Sequence, residues 1–153
     1  MPDYGIRPPE AGTGLLPWAW AAEQLAAAHD YWVCTSWPDG RPHLTPVWGA
    51  WLDGSLWFSC GPRSRKTRNL ERDPRCSVAT SDPRRPVVVS GTAERLTEPN
   101  DIARYTAASN EKYPGYDYTV EFFAANALWR VVPDSAIGMI EDDFTGSPTR
   151  WEF

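Results

Sequence analysis

The sequence predicts a mainly β protein with a few helices, built on one antiparallel sheet that closes into a barrel. Short apolar runs recur along the chain, and two of the links between them, Pro38-Asp39-Gly40 and Asp53-Gly54, are typical of tight hairpin turns. Many short hairpin strands with few helices favour a sheet that closes and so removes its exposed edges. The 153 residues are enough for one domain with a sizeable core.

The predicted elements follow one another through short connections. A helix is expected over residues 17–29, where a proline suits the first turn and apolar residues form one stripe. Strands are expected over 31–37, 41–52, 55–60, 76–80 and 86–96, and helices over 64–73, 98–112 and 116–126. Closing strands over 127–132 and 135–140 precede a polar segment from residue 141. We therefore expect an arm over 1–16, a barrel domain over 17–145 and a tail over 146–153.

The most informative stretch is residues 59–75 (SCGPRSRKTRNLERDPR), in which a strand ends and a basic helix begins. Ser64 is a suitable N-cap, and Asp73-Pro74 is a suitable end. Six of the 15 basic residues lie here, namely Arg63, Arg65, Lys66, Arg68, Arg72 and Arg75. Basic side chains at a helix N-terminus are unfavourable unless an anion lies among them, so we expect a phosphate there. The alternative is a solvated basic helix.

The charge distribution limits the class of partner. The formal net charge is −5, and the chain without residues 63–75 has 9 basic and 18 acidic residues. One basic island on an acidic protein argues against a nucleic-acid partner and favours a small anionic ligand. Nine tryptophans suit a planar ligand or an extensive interface, although we expect most of them in the core.

The three cysteines, Cys34, Cys60 and Cys76, lie in or beside strand-like runs and form no C-x-x-C pair. The sequence therefore predicts no metal site and no disulfide framework, and buried free thiols are typical of a cytoplasmic protein. No signal peptide is apparent, and no apolar run is long enough to span a membrane. We expect a cytoplasmic protein without a membrane partner.

The second predicted strand contains a proline, Pro46, which restricts that position to a sheet edge or a bulge. A bulge would expose backbone N–H groups to the edge of a heterocycle, whereas the strand alone favours an edge blunted against aggregation. Gly49 would allow the close approach of another backbone or a ligand. His43 alternates with Thr45 and Val47 and so could face a ligand, although a hydrogen-bonded structural histidine is favoured.

The order of these parts resembles the pyridoxamine 5′-phosphate oxidase-like split β-barrel flavoproteins. The resemblance covers about residues 20–140 and rests on residues 37–48 (WPDGRPHLTPVW) and 65–74 (RKTRNLERDP). It is closer to the branch that binds the deazaflavin F420, in which a Lys-Thr-Arg-Asn-Leu segment follows the third strand. The second strand lacks the basic residue that holds the FMN phosphate in the FMN-using oxidases. This departure favours F420 over FMN and argues against pyridoxamine phosphate oxidation.

The resemblance implies a homodimer with two cofactor sites at the subunit interface. It implies an F420-dependent oxidoreductase that transfers a hydride between the reduced cofactor and an unsaturated small organic substrate. An FMN enzyme of the same fold, or a non-catalytic protein that binds flavin, F420 or haem, remains an alternative. The cofactor carries the hydride chemistry, so no catalytic side chain is identified and the proton donor stays open.

The resemblance also implies a set of cofactor-binding residues. Thr45, Pro46, Val47 and Trp48 would line the ring system, and Ser59 would lie near the ribityl-phosphate chain. The phosphate and the charged tail beyond it would meet Arg63, Ser64, Arg65, Lys66 and Arg68. Asn69 and Leu70 are expected to fix the helix to the barrel instead.

Overall fold

The strands of the described chain form one antiparallel sheet. The computed structural model describes residues 5–12 and 14–153. The strands are β1 (Asp30–Ser36), β2 (Pro42–Leu52), β3 (Ser55–Cys60), β4 (Arg75–Thr80), β5 (Val87–Leu96), β6 (Ala127–Gly138) and β7 (Thr149–Glu152). The α-helices are α1 (Trp18–Ala27), α2 (Arg65–Arg72), α3 (Pro99–Lys112) and α4 (Val120–Ala124). None of the helices in these residues is both long and apolar enough to cross a membrane.

The sheet closes into a six-stranded barrel. The strand order is β3-β2-β1-β4-β5-β6-β7, and β3 also pairs with β6. Cys60 lies opposite Ala127, and Leu56 lies opposite Val131. Beyond the segment that pairs with β3, the same edge of β6 pairs with β7. The predicted split β-barrel, mainly β with a few helices, is confirmed.

Strand β2 changes partner half-way along its length. Residues 42–48 pair with β1 and residues 49–52 pair with β3, so the first half has one open edge in the described structure. Pro46 lies opposite Trp32 in an unbroken register and therefore occupies that edge. The edge interpretation of Pro46 is confirmed, and the bulge considered for this strand is not observed.

A bulge occurs elsewhere, between β5 and β6. Ser90 lies opposite Ser135, but Gly91 lies opposite Pro133, so Asp134 is the additional residue. A Cβ atom on Gly91 would lie 2.2 Å from the carbonyl oxygen of Val132, so this close approach requires glycine. The prediction of two closing strands was wrong, because the bulge accommodates the proline within one continuous strand.

The core has two parts. The barrel interior holds residues such as Tyr31, Val33 and Phe58. A second cluster lies beneath α3 and α4 and consists of Ala50, Trp57, Leu96, Ile102, Tyr105, Phe123 and Leu128. Of the nine tryptophans, only Trp57 and Trp129 are buried. Trp18, Trp20, Trp51 and Trp151 are half-buried and pack against the barrel core, so six of the nine tryptophans lie in a core cluster or against one.

The two ends of the described chain lie against each other. Residues 146–153, predicted as a tail, include β7, which pairs with β6. The backbone N–H of Leu16 donates to Thr149 Oγ1 at 2.9 Å, and Trp151 Nε1 donates to the Leu16 carbonyl at 3.1 Å. Further out, the Arg7 backbone N–H donates to the Thr145 carbonyl at 2.8 Å. Residues 1–4 and 13 of the predicted arm lie outside the described residues.

Candidate functional site

A cleft of about 340 Å³ opens beside the start of α2. Its barrel wall comes from Pro46–Trp48 on β2 and from residues 59–61 at the end of β3. Lys66, in the first turn of α2, also lines it. Five of the ten sequence-predicted residues therefore meet at one cleft, namely Pro46, Val47, Trp48, Ser59 and Lys66.

The opposite wall is aromatic and was not predicted from the sequence. It comes from α3, α4 and their connection, and it contains Tyr105, Ser109, Tyr113, Tyr118, Phe122, Phe123 and Asn126. Three of these residues are spaced four apart: Tyr105 and Ser109 lie on α3, and Tyr113 is the residue that caps the end of this helix. That spacing places them on one helix face. The sequence analysis assigned none of these three residues to the cofactor site, although their spacing is visible in the sequence.

Trp48 links the two walls through a series of aromatic contacts. Its ring stacks on Tyr113 with centroids 5.1 Å apart and meets Tyr116 edge-on at 4.7 Å. Tyr116 stacks on Tyr118 at 5.6 Å, and Tyr118 stacks on Phe122 at 5.2 Å. Trp48 is 40 % exposed and Phe122 is 49 % exposed. The cleft therefore presents open aromatic faces, which suit a planar ligand.

The loop that leads into α2 is fixed by the first turn of the helix. Ser64 is the N-cap and accepts a hydrogen bond from the Thr67 backbone N–H at 3.2 Å, as predicted. Thr67 Oγ1 donates to the Gly61 carbonyl at 2.9 Å and lies 3.3 Å from the Cys60 thiol. The Ser64 hydroxyl therefore has a structural role as a cap, and Gly61 and Cys60 are held at the cleft.

The basic residues around α2 divide into two groups. Arg72 donates to the carbonyls of Ser36 and Trp37, each at 3.0 Å, and Arg75 pairs with Asp73 at 2.8 Å. These two arginines have structural partners. No ion pair with a carboxylate of the described residues is formed by Arg63, Arg65, Lys66 or Arg68. Of these four, the structure brings only Lys66 to the cleft.

Thr45 and His43 lie away from the cleft lining. Both are half-buried on β2, and Thr45 Oγ1 has no hydrogen-bond partner among the described residues. His43 Nδ1 lies 3.5 Å from Thr35 Oγ1, which accepts from Asn69 Nδ2 at 3.0 Å. Burial, followed by the nearby charges of Lys66 and Arg65, lowers the pKa of His43. His43 is therefore a neutral structural contact in this arrangement.

Two residues of α2 attach the helix to the barrel, as the sequence predicted. Asn69 is 1 % exposed and donates its side-chain N–H to Thr35, and Leu70 is 2 % exposed in the barrel core. This attachment sets the direction of the helix. Lys66, one turn earlier, is thereby held at the cleft.

The end of α3 is fastened to Gly49. The Tyr113 hydroxyl accepts from the Gly49 N–H at 3.0 Å, and Lys112 Nζ donates to the Gly49 carbonyl at 2.7 Å and to Tyr31 OH at 3.1 Å. Burial lowers the pKa of Lys112 to about 8. A Cβ atom on Gly49 would lie 2.6 Å from the Trp57 carbonyl oxygen, so the predicted close approach is to a backbone.

Comparison with known proteins assigns the family. The sequence model described as "Pyridoxamine 5'-phosphate oxidase" matches residues 20–137, which is more than half of the chain. The chain belongs to this family. A search of curated protein sequences found no match.

Solved structures show the same fold. The chain is similar to a conserved hypothetical protein, Rv2991, from Mycobacterium tuberculosis, with 27 % identity, a TM-score of 0.72, and coverage of 97 % of this chain and 88 % of that one. It is also similar to an "F420 Reductase" (24 % identity, TM-score 0.63, 74 % and 93 % coverage). A heme binding protein from Mycobacterium smegmatis matches at 20 % identity and a TM-score of 0.65, over 88 % of this chain and 62 % of that one. Proteins of this fold thus include a reductase and a haem binder.

Proposed function

We propose that this protein is an F420-dependent oxidoreductase that transfers a hydride between the reduced deazaflavin and an unsaturated small organic substrate. The observation that carries the proposal is the position of Lys66. Its ammonium group belongs to the first turn of α2, has no carboxylate partner among the described residues, and lines an aromatic cleft. A cation and a helix N-terminus together form a phosphate site, and the aromatic walls suit the ring that would follow it.

The described residues fit such a cofactor. Trp48 and the aromatic wall would hold the ring, and Ser59 and Lys66 would meet the chain and its phosphate. Gly61 leaves open space at the cleft, since a Cβ atom there would meet nothing within 4 Å. When bound, the reduced deazaflavin supplies the hydride, while these residues position the ring and exclude water from it.

The charges around the cleft favour F420 over FMN. The side chains that β2 contributes to the cleft, Pro46, Val47 and Trp48, include no cation that could complete a compact phosphate cluster. Arg63 and Arg68 are exposed beside the start of α2 and have no ion-pair partner among the described residues. They are available to a negatively charged tail that extends beyond the phosphate. Because the rest of the chain is acidic, such a tail would be repelled elsewhere.

A second copy of the chain is proposed to cover the outer face of the sheet. Aligned pairs place Pro46, Trp32, Ala79, Val88 and Ile137 in one row across five neighbouring strands. Every residue of the row is apolar, and Trp32 is 39 % exposed and Ile137 50 % exposed. Contiguous exposed apolar surface of this kind is typical of interfaces. Since Pro46 also lines the cleft, a partner on this face would lie beside the cofactor.

The test is to titrate F420 and FMN separately against the purified protein at low and high ionic strength. We expect F420 to bind more tightly, and we expect the preference to shrink as salt screens the exposed tail contacts. Tighter FMN binding at both ionic strengths would overturn the cofactor assignment. Turnover of the reduced cofactor with candidate acceptors then separates an enzyme from a non-catalytic carrier.

A further inference from the structure

The α3 wall of the cleft contains a buried hydroxyl that makes no hydrogen bond of normal geometry within the described structure. Ser109 is 1 % exposed and lines the cleft, but its Oγ atom has no hydrogen-bond partner among the described residues. A buried hydroxyl without a partner costs free energy, because its hydrogen bonds to water are lost without replacement. Such a group in a native structure calls for an explanation.

The neighbouring helix position shows that the helix could have satisfied this hydroxyl. Thr106, also buried on α3, donates its hydroxyl to the Ile102 carbonyl at 2.8 Å. This is the usual bond by which a serine or threonine in a helix satisfies itself. Ser109 makes no such bond, so its hydroxyl is not satisfied by the helix backbone and lies beside the cleft without a hydrogen bond of normal geometry.

The tyrosine beside Ser109, Tyr105, is uncharged. Burial raises the pKa of Tyr105, although the adjacent Ser109 hydroxyl and the Ser59 backbone lower it in part. Tyr105 is therefore a neutral phenol at physiological pH. Tyr105 and Ser109 approach each other without a well-aligned hydrogen bond. This part of the α3 wall suits a neutral hydrogen-bonding atom and does not suit a phosphate or a carboxylate.

Ser109 lies midway along one wall of the cleft. Tyr105, one turn before it, approaches Ser59 on β3, and Tyr113, one turn after it, is bonded to Gly49 on β2. The helical rise places these two tyrosines roughly 12 Å apart along the wall. Lys66 belongs to α2 on the barrel side of the cleft, and Ser109 belongs to α3 on the opposite wall. An anionic group at Lys66 and a neutral polar group at Ser109 would therefore belong to different parts of one bound molecule.

We propose that Ser109 is a specificity-determining residue that hydrogen-bonds a neutral polar atom, a carbonyl oxygen or a ring N–H, on the edge of the planar ring bound in the cleft. This inference rests on the proposed function, because it needs a ring compound in the cleft. It adds the group that orients the ring, which Lys66 cannot do from the phosphate end. Loss of one neutral hydrogen bond should weaken ring binding about three- to tenfold.

The experiment compares three variants, Ser109→Ala, Thr106→Val and Lys66→Ala, with three ligands. The ligands are F420, FMN and lumichrome, a flavin-like ring system without a ribityl chain or phosphate. We expect Ser109→Ala to weaken binding of F420 and lumichrome by the same three- to tenfold factor. Lys66→Ala should weaken binding of the two phosphate-bearing ligands, F420 and FMN, and leave the affinity for lumichrome unchanged. Thr106→Val should change none of the three affinities by more than twofold.

Thermal unfolding without ligand separates ligand binding from a structural role. Ser109→Ala should be at least as stable as the wild type, because it removes an unpartnered buried hydroxyl and alanine favours the helix. Unchanged affinity of Ser109→Ala for the ring compounds, or a lower unfolding temperature, would overturn the inference. If the wild type prefers FMN, the F420 assignment fails, and the role of Ser109 is then tested by the effect of Ser109→Ala on the affinities for FMN and lumichrome. If the wild type binds none of the three compounds, both proposals fail.

Discussion

The guanidinium carbon of Arg65 lies 4.0 Å from the centroid of the Trp37 ring, so the start of α2 is stacked on the hairpin that joins β1 and β2. Arg41 approaches the same ring at 5.0 Å. Lys66, which follows Arg65 in the sequence, lines the cleft instead of contacting this hairpin. Two adjacent basic residues thus contact different parts of the molecule. The attachment of the helix and the binding of an anion can therefore be tested separately.

Replacement of Lys66 by alanine should weaken binding of a phosphate-bearing cofactor about ten- to hundredfold, because a charge-assisted hydrogen bond is lost. Arg72→Ala is the matched control, since Arg72 donates to two hairpin carbonyls and does not line the cleft. The control should lower stability and leave the affinity within twofold of the wild type. Calorimetric titration of each variant measures the difference. Equal losses of affinity would contradict the assignment of Lys66 to the phosphate.

Gly49→Ala should destabilise the protein by about 1–3 kcal/mol, because the added methyl group would collide with a backbone oxygen that cannot move aside. The nearest atom is the Trp57 carbonyl oxygen, 2.6 Å from the ideal Cβ position. Gly61→Ala adds the same methyl group in open space, and we expect it to be close to neutral for stability. Urea unfolding of the two variants provides the comparison. A neutral Gly49→Ala variant would show that β2 and β3 can separate at this position.

Stability should rise with pH between about 8 and 9 because of Lys112. Its ordinary pKa is 10.5, and burial lowers it to about 8 in the folded protein, against a smaller opposing effect of Asp30. In this range the unfolded chain binds more protons than the folded one, so raising the pH favours folding. Above about pH 9 the buried Cys76 thiol, whose pKa burial raises from 9.0 to about 12, acts in the opposite direction. Above pH 10 the buried tyrosines Tyr31 and Tyr105, whose pKa values are also raised, add to that opposing effect.

The measurement is the urea midpoint as a function of pH, in the wild type and in Lys112→Met. The variant loses the hydrogen bond to Gly49 but should show no rise between pH 8 and 9. A parallel pH profile in both proteins would show that other groups cause the dependence.

Trp32→Lys should convert a dimer into a monomer, because it places a charge within the apolar row that we propose as the interface. Leu15→Lys is the control, since Leu15 is 68 % exposed and lies outside the row. Light scattering at micromolar concentration should give a dimeric mass for the wild type and the control. A monomeric wild type would remove the basis for a shared cofactor site.

The boundaries of the first five strands and of α2 were predictable because local residues determine them. The turns at Pro38-Asp39-Gly40 and Asp53-Gly54 end strands by their own backbone preferences, and Ser64 caps α2 through a bond to Thr67. Strands β6 and β7 were not predicted correctly. Their extent depends on pairing with distant segments, which the local sequence does not contain.

Only the barrel side of the candidate site was predicted, through the family resemblance that short motifs carry. Lys66 and the β2 residues belong to short motifs, whereas the aromatic wall depends on how α3 and α4 pack over the barrel. Arg65 was predicted to contact the phosphate. In the structure its side chain stacks on Trp37, a residue that is distant from Arg65 in the sequence. Neither composition nor spacing could show that contact. The structure therefore leaves the phosphate role of Arg65 as a prediction and gives it a second, structural role.

The pairing of β3 with β6 has a consequence for folding during synthesis. Cys60 and Ala127 are neighbours in the closed barrel, but the ribosome adds every residue between them first. At about 5–20 residues per second, the edge of β3 waits roughly 3–13 seconds for its partner. During that interval the nascent chain exposes an apolar strand edge that other chains can join. The yield of folded protein should therefore depend on how well chaperones shield β3 until β6 has emerged.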